Sequence, residues 1–159
     1  SRDTVMHQAD PLSYLHSLIK LSKKHLILRL RTRDTGATVF DIERSCQAHY
    51  SKFWMPYIVL NIDELSEFLK NNEHVQSAII NRSYNILGGG NLRNLPKELF
   101  FADAGGSETS LLINMSNESC NGANIDYTFT KEGHDFIKSN LFKFRLLRLT
   151  SKITNIISN

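Results

Sequence analysis

Cysteine is scarce in this chain of 159 residues, which contains only Cys46 and Cys120. Two cysteines are too few for the disulfide framework of small secreted domains, so we expect free thiols and a cytoplasmic or other reducing compartment. No apolar run reaches the roughly 18 residues that a membrane-spanning helix needs, so the sequence predicts no transmembrane segment. Internal repeats and low-complexity tracts are also missing, which argues against a repeat architecture.

A strong charge of either sign is absent as well. The chain has 19 lysine and arginine residues against 16 aspartate and glutamate residues, a net charge of +3. This mild basic excess permits an anionic partner such as nucleic acid but does not require one. Hydrophobic residues make up 41% of the chain, enough for a core, and the length predicts a single domain over 1–159.

The hydrophobic patterning predicts an α+β fold: one compact domain with two β-hairpin-like pairs, several helices and a long C-terminal helix. Asp10-Pro11 and Asn61 have the residue types that begin helices. A further helix is predicted over 73–87, because apolar residues recur there at helical spacing. Those residues are Val75, Ala78, Ile79 and Ile86.

Strands are predicted wherever apolar residues alternate or form short runs. In the first hairpin, Leu26, Leu28 and Leu30 face one way and pair through a turn with 37–42. The segment 53–60 is an apolar strand in which Pro56 favours an edge or a bulge. The segments 111–115 and 125–129 would form the second pair around a polar loop.

The string Asp34-Thr35-Gly36-Ala37 resembles the signature of the aspartic proteases, whose catalytic Asp shares a proton with a second Asp. Arg31 and Arg33 precede it, where two cations would oppose proton sharing. We therefore interpret the string as a turn in which Gly36 takes a positive φ angle, and keep a protease acting through Asp34 as a remote alternative. On this interpretation, Asp34→Ala costs less than about 1 kcal/mol.

The chain shows no convincing metal or cofactor motif, and neither a metal nor a cofactor is expected. Cys46 and His49 are closely spaced, but Cys120 and His134 are not, whereas zinc sites combine closely spaced ligands. The glycines at 88–90 follow a predicted helix, where a helix end is a better interpretation than a phosphate-binding loop.

The segment Tyr127-Thr-Phe-Thr-Lys-Glu-Gly-His-Asp-Phe-Ile137 resembles the junction between the last wing strand and the closing helix in small winged-helix regulators. In this pattern a strand ends, Thr130 caps a helix, and Phe136 and Ile137 fold back on the sheet. The resemblance covers about a tenth of the chain. It implies a DNA-binding regulatory role, although the usual recognition helix is not visible upstream.

The C-terminal helix predicted over 131–159 carries two sets of candidate contact residues. Cationic residues suited to nucleic acid or another partner lie between the apolar heptad seam and a second apolar arc of Ile137, Leu141 and Phe144. These cations are Lys138, Arg145, Arg148 and Lys152. An apolar heptad seam suits packing on the domain, a partner helix or a second copy: Phe142, Leu146, Leu149, Ile153 and Ile156.

Together these features predict a non-enzymatic regulatory domain whose leading partner is nucleic acid. The alternative is a protein-interaction module, such as an adaptor, effector or assembly factor, that acts through the C-terminal helix. Homo-oligomerisation along the seam is a further possibility.

Overall fold

The computed structural model describes residues 4–41, 45–48, 54–83, 106–131, 133 and 135. Within these residues the chain forms a five-stranded mixed sheet, two α-helices, a short 3-10 helix (Val5–His7) and a separate two-stranded sheet. The helices are α1 (Pro11–Leu21) and α2 (Ile62–Lys70). The strands are β1 (His25–Arg33), β2 (Cys46–Ala48), β3 (Trp54–Pro56), β4 (Leu60–Asn61), β5 (Val75–Arg82), β6 (Ser107–Met115) and β7 (Asn124–Phe129).

Both α-helices begin at the predicted caps. The Asp10 side chain accepts a hydrogen bond from the Ser13 amide, and Pro11 occupies the first helical position of α1. Asn61 accepts from the amides of Asp63 and Glu64 at the start of α2. Each cap satisfies amides that would otherwise lack an acceptor in the first turn.

The main sheet has the strand order β4-β1-β6-β5-β7. β6 is antiparallel to both of its neighbours, whereas β1 pairs in parallel with β4, and β5 pairs in parallel with β7. Consequently β1, β4, β5 and β7 all point the same way and finish at the same end of the sheet. This end, formed by the strand termini, is called the carboxyl edge below. The opposite end, where β1 and β5 begin, is called the amino edge.

Side-chain alternation gives the sheet two different faces. One face, called the helix face below, packs against α1 and α2 through a continuous apolar core. The core includes Leu15 and Ile19 of α1, Leu65 and Leu69 of α2, and Leu28, Leu30, Ala78, Ile80, Leu111 and Ile113 of the sheet. The alternation predicted for Leu26, Leu28 and Leu30 is confirmed, although Leu26 is only partly buried.

The predicted fold class is wrong in its arrangement of elements. Segment 73–87 was expected to be helical, but its first part is the strand β5, whose end is Arg82. Neither expected hairpin forms: β1 pairs with β4 and β6, and β5 lies between β6 and β7. The described chain is therefore rich in strands, with two α-helices where several were expected.

A long C-terminal helix is not part of this fold as described. Lys131, Gly133 and Asp135 are helical, and the Thr130 hydroxyl accepts from the Gly133 amide at 3.1 Å, as the predicted cap requires. The rest of 131–159 lies outside the described residues, and so do His49 and the glycines at 88–90.

Candidate functional site

Asp34, the residue of the protease-like string, lies directly after β1 at the carboxyl edge of the sheet. Its carboxylate forms an ion pair with the guanidinium of Arg82, the last residue of β5, and each side chain is only 2% exposed. Beside this pair, the hydroxyls of Thr32 and Thr109 share a hydrogen bond of 2.7 Å. Buried charged and polar groups of this kind are tolerated when they are paired.

The turn after Asp34 is held in place by side chains on both sides. Arg33 donates to the carbonyl oxygens of Thr35 and Ala37, at 2.5 and 3.2 Å. The Asn61 side-chain amide donates to the Gly36 carbonyl at 2.8 Å. Gly36 has a φ of 71°, so the predicted positive φ is confirmed, and a left-handed residue here favours glycine.

The same turn is tied to the start of α2. The Thr38 hydroxyl accepts from the Asn61 amide at 2.8 Å, and the Glu64 carboxylate accepts from the Thr38 amide at 3.2 Å. In an ordinary capping box the third helical residue would reach the cap's own amide. Here Thr38 lies between the two residues: its hydroxyl accepts from the Asn61 amide, and its own amide donates to Glu64. These two bonds fix the loop to the start of the helix.

These contacts give the protease alternative no support. A catalytic carboxylate must reach its substrate, whereas the Asp34 carboxylate is buried and faces a guanidinium. They also change the expectation that Asp34 is a dispensable turn residue, because its removal would leave Arg82 buried without its carboxylate. The two residues are 48 positions apart, and no local signal in the sequence pairs them.

A second charged cluster lies on the opposite face of the sheet. Glu108 of β6 forms salt bridges with Arg29 and Arg31 of β1. Arg31 also donates to the Tyr57 hydroxyl at 3.2 Å. Sequence reasoning missed Glu108, because the strand was predicted to begin at 111 whereas β6 begins at Ser107.

An open groove of about 480 Å³ lies at the amino edge of the sheet. Its described lining residues are Lys23, Lys24, His25, Gln76, Asn114, Met115 and Asn117. Two lysines, a histidine and three side-chain amides line this basic groove, and its described lining residues include no carboxylate. Lys23, Lys24 and His25 are exposed, and Lys20, in the last turn of α1, adds a further exposed cation nearby in the sequence.

A chain of hydrogen bonds orients the polar wall of the basic groove. His25 Nδ1 lies 2.9 Å from Asn114 Oδ1, and Asn114 Nδ2 donates to the Ser77 hydroxyl at 2.9 Å. Since the Asn114 oxygen can only accept, His25 Nδ1 is the donor in this contact. Lysines, amides and an imidazole in one groove can contact phosphate oxygens.

A second groove is acidic. It has a volume of about 650 Å³ and lies between α1 and α2. Its lining residues are His16, Glu64, Glu67, Phe68, Asn71, Asn72 and Glu73. Across the described part of the chain, no three His, Cys, Asp or Glu side chains come together as a metal site.

The sequence-predicted contact residues are not brought into either groove by the described structure. Lys138, Arg145, Arg148 and Lys152 all lie outside the described residues, and so does the seam Phe142, Leu146, Leu149, Ile153 and Ile156. The strand that resembles a wing, β7, pairs in parallel with β5, so it is not one arm of a hairpin.

Comparisons with protein-family models, with curated proteins and with solved structures each found no match. None of the helices in the described regions is long and apolar enough to cross a membrane. The function therefore has to be argued from the groups that the fold presents.

Proposed function

We propose that this protein is a non-enzymatic regulatory domain that binds nucleic acid through the basic groove at its amino edge. The observation that carries the proposal is the groove's described lining, in which Lys23, Lys24 and His25 lie beside side-chain amides and no carboxylate is present. Phosphate groups are bound by such donors, and the mild overall excess of positive charge favours the approach of a polyanion.

The availability of the lysines supports the same proposal. Lys23 and Lys24 are exposed and form no salt bridge with any residue that the structure describes. By contrast, Arg29, Arg31 and Arg82 are paired with carboxylates. A phosphate can therefore reach Lys23 and Lys24 without displacing an internal partner.

Contacts to phosphates fix position but do not read bases. The basic groove thus accounts for binding that is independent of sequence. Any sequence preference belongs to other residues, among which Lys138, Arg145, Arg148 and Lys152 remain the proposal drawn from the sequence. The alternative of a protein-interaction module acting through the C-terminal seam likewise rests on the sequence alone.

A reducing compartment is part of the proposal. Cys120 is a free, half-exposed cysteine, which agrees with thiols kept reduced.

The test is a salt titration of binding to labelled mixed-sequence DNA and RNA, measured by fluorescence anisotropy. Affinity should fall steeply with salt, with a slope of about 0.9 per phosphate contact on duplex DNA. Lys24→Glu should weaken binding for all sequences alike and reduce the slope by about 1. Lys131→Glu is the matched control, because Lys131 is exposed at the opposite, carboxyl edge.

Three other results would change the conclusion. Failure to bind either nucleic acid at low salt refutes the proposal. An equal loss of affinity in Lys24→Glu and Lys131→Glu indicates a general effect of charge and no specific binding at the groove. Loss in Arg148→Glu, with Lys24→Glu unchanged, moves the interface to the C-terminal segment.

A further inference from the structure

The loop between β6 and β7, residues 116–123, contains the dipeptide Asn121-Gly122, the one place in the chain where glycine follows asparagine. The side-chain amide of an asparagine can be attacked by the backbone nitrogen of the next residue. Glycine hinders this attack least, because it has no Cβ. Whether a folded protein permits the reaction depends on how its backbone holds the two residues.

The structure leaves both reacting groups accessible. Asn121 and Gly122 are exposed. Gly122 has a φ of 86°, and a Cβ built on it would meet nothing within 4 Å beyond its chain neighbours. No residue that the structure describes forms a hydrogen bond with the Asn121 side chain or the Gly122 amide. The nitrogen and the carbon that it attacks are therefore both open to solvent.

The loop is nevertheless held on either side of this dipeptide. The Cys120 amide donates to the Glu73 carbonyl at 2.9 Å, and the Ala123 amide donates to the Lys70 carbonyl at 3.4 Å. These bonds tie the loop to the end of α2 and to the residues before β5. The accessibility of the dipeptide is thus a property of the folded chain, and unfolding is not needed to expose it.

A second asparagine in the same loop provides an internal comparison. Asn117 is exposed as well, but Glu118 follows it, and the Glu118 amide donates to the Ser116 hydroxyl at 3.2 Å. A hydrogen bond retains the proton that must leave before the nitrogen can attack. The amide that follows Asn121 is therefore free, whereas the one that follows Asn117 is engaged.

We propose that Asn121 is a site of spontaneous modification in the folded protein, where it converts to aspartate and isoaspartate through a cyclic imide. Solvent base removes the Gly122 amide proton, and the nitrogen bonds to the side-chain carbonyl carbon of Asn121. The bond from this carbon to the side-chain nitrogen then breaks, and ammonia leaves with a proton from solvent. Water opens the ring at either carbonyl carbon, so that a water molecule is consumed for each ammonia released and no oxidant is required.

The modification changes the charge of the amino edge. Glu118 is the only charged residue of 116–123, so the product gives this loop a second carboxylate. Asn117 of the same loop lines the basic groove, and a negative charge there opposes the approach of a polyanion. This consequence, unlike the reaction itself, rests on the proposed function.

The reaction is tested by incubating the full chain under native conditions at mildly alkaline pH and mapping its peptides by mass spectrometry over time. Asn121 should be lost faster than Asn117, with isoaspartate among the products, and the rate should rise with pH. Gly122→Ala should slow the loss about 10-fold or more, because its methyl group shields the nitrogen. Circular dichroism verifies that this variant is folded.

Glu118→Gly separates the contribution of the structure from that of the dipeptide. This variant creates a second asparagine-glycine pair, at 117–118, whose amide keeps the Ser116 hydroxyl as an acceptor. Asn117 should then react about 2- to 10-fold more slowly than Asn121 in the folded protein, the effect of one hydrogen bond. The two rates should become equal in urea, and adding Ser116→Ala should remove the difference without urea.

The effect on the groove has a separate test. Asn121→Asp should bind labelled mixed-sequence DNA more weakly than the neutral control Asn121→Gln, and the difference should shrink as salt rises. Equal affinities at low salt would refute the effect on the groove. Failure of the unsubstituted chain to bind DNA would refute the proposed function, while the mass measurement still decides the reaction.

Three results would overturn the proposed site. Asn121 staying intact in the folded chain, while the same peptide reacts in urea, would show that the loop protects it. Aspartate without isoaspartate would indicate direct hydrolysis, with no attack by Gly122. Equal rates at Asn117 and Asn121 in folded Glu118→Gly would show that the dipeptide alone determines the rate and that the loop structure has no part in it.

Discussion

Replacing Asp34 by alanine should be among the most destabilising single changes in this protein. The carboxylate and its Arg82 partner are each 2% exposed, so the substitution removes a carboxylate that pairs with a buried guanidinium. Breaking a buried ion pair from one side costs about 3–5 kcal/mol. The free energy of unfolding of native domains is about 5–15 kcal/mol, so this loss is a large part of the stability.

A series of variants separates the charge pair from general effects. Asp34→Asn keeps the shape of the side chain and an acceptor for Arg82, so its free energy of unfolding should fall less than that of Asp34→Ala. The matched control is Asp63→Ala, because Asp63 is exposed in the first turn of α2. The Asp63→Ala variant should lose only the stabilisation that a carboxylate gives to the helix dipole, about 0.3–1 kcal/mol.

Urea unfolding followed by circular dichroism measures these losses, provided that the slope with denaturant stays constant across the series. A double-mutant cycle with Arg82→Met isolates the coupling, expected at about 1–3 kcal/mol because both single variants remove the same contact. Asp34→Ala losing no more than Asp63→Ala would refute the reasoning, as would additive effects of Asp34→Ala and Arg82→Met.

Two further predictions concern local backbone structure. Gly36→Ala and Gly122→Ala both place alanine at positive φ, 71° and 86°, which costs about 1–2 kcal/mol. Only the Gly36 side chain would meet the Arg33 guanidinium, so thermal unfolding should show the larger loss for Gly36→Ala, and an equal loss would contradict the contact. Hydrogen bonds from the Ser13 side chain and then its amide lower the pKa of Asp10. Asp10→Ala should therefore cost about 1 kcal/mol at neutral pH. Because the folded pKa is the lower one, this contribution is present above the usual aspartate value of about 3.9 and disappears as pH falls through the folded value; a loss that stays constant down to pH 2 would argue against the cap.

Local signals in the sequence predicted those parts of the fold that depend on neighbouring residues. The caps at Asp10 and Asn61, the alternation of β1 and the positive φ at Gly36 all follow from chemistry within a few positions. The strand that ends before Thr130 was also predicted from neighbouring residues. Pro56 occurs in β3 of the two-stranded sheet, in agreement with the edge position expected of it.

The misassigned helix at 73–87 has a definite physical cause. A bulge between Val75 and Ser77 shifts the register of β5 against β6. The shift puts Val75 and Ala78, three residues apart, in the same buried core. Apolar residues three apart are also the mark of a helix face, so a bulged strand and a helix share this pattern. Beyond the bulge, Ala78 and Ile80 show the ordinary spacing of two.

Strand pairing could not be predicted, because alternation identifies a strand but not its neighbour. β1 pairs with β6 across about 80 positions of sequence, for example Leu28 with Leu111. The expected hairpins assumed that neighbours in sequence pair in space, which is common but not required. The pairing of Asp34 with Arg82, and of Glu108 with two arginines, depends on this non-local order.

The pairing of charges differs between the carboxyl edge and the amino edge, and this difference indicates which of them is available to a partner. At the carboxyl edge Asp34 and Arg82 neutralise each other inside the protein, and an incoming phosphate would have to break a desolvated pair. At the amino edge Lys23 and Lys24 remain in water, where they attract a polyanion at little desolvation cost. The buried charges therefore serve the fold, and the exposed lysines are the ones to change in a search for binding.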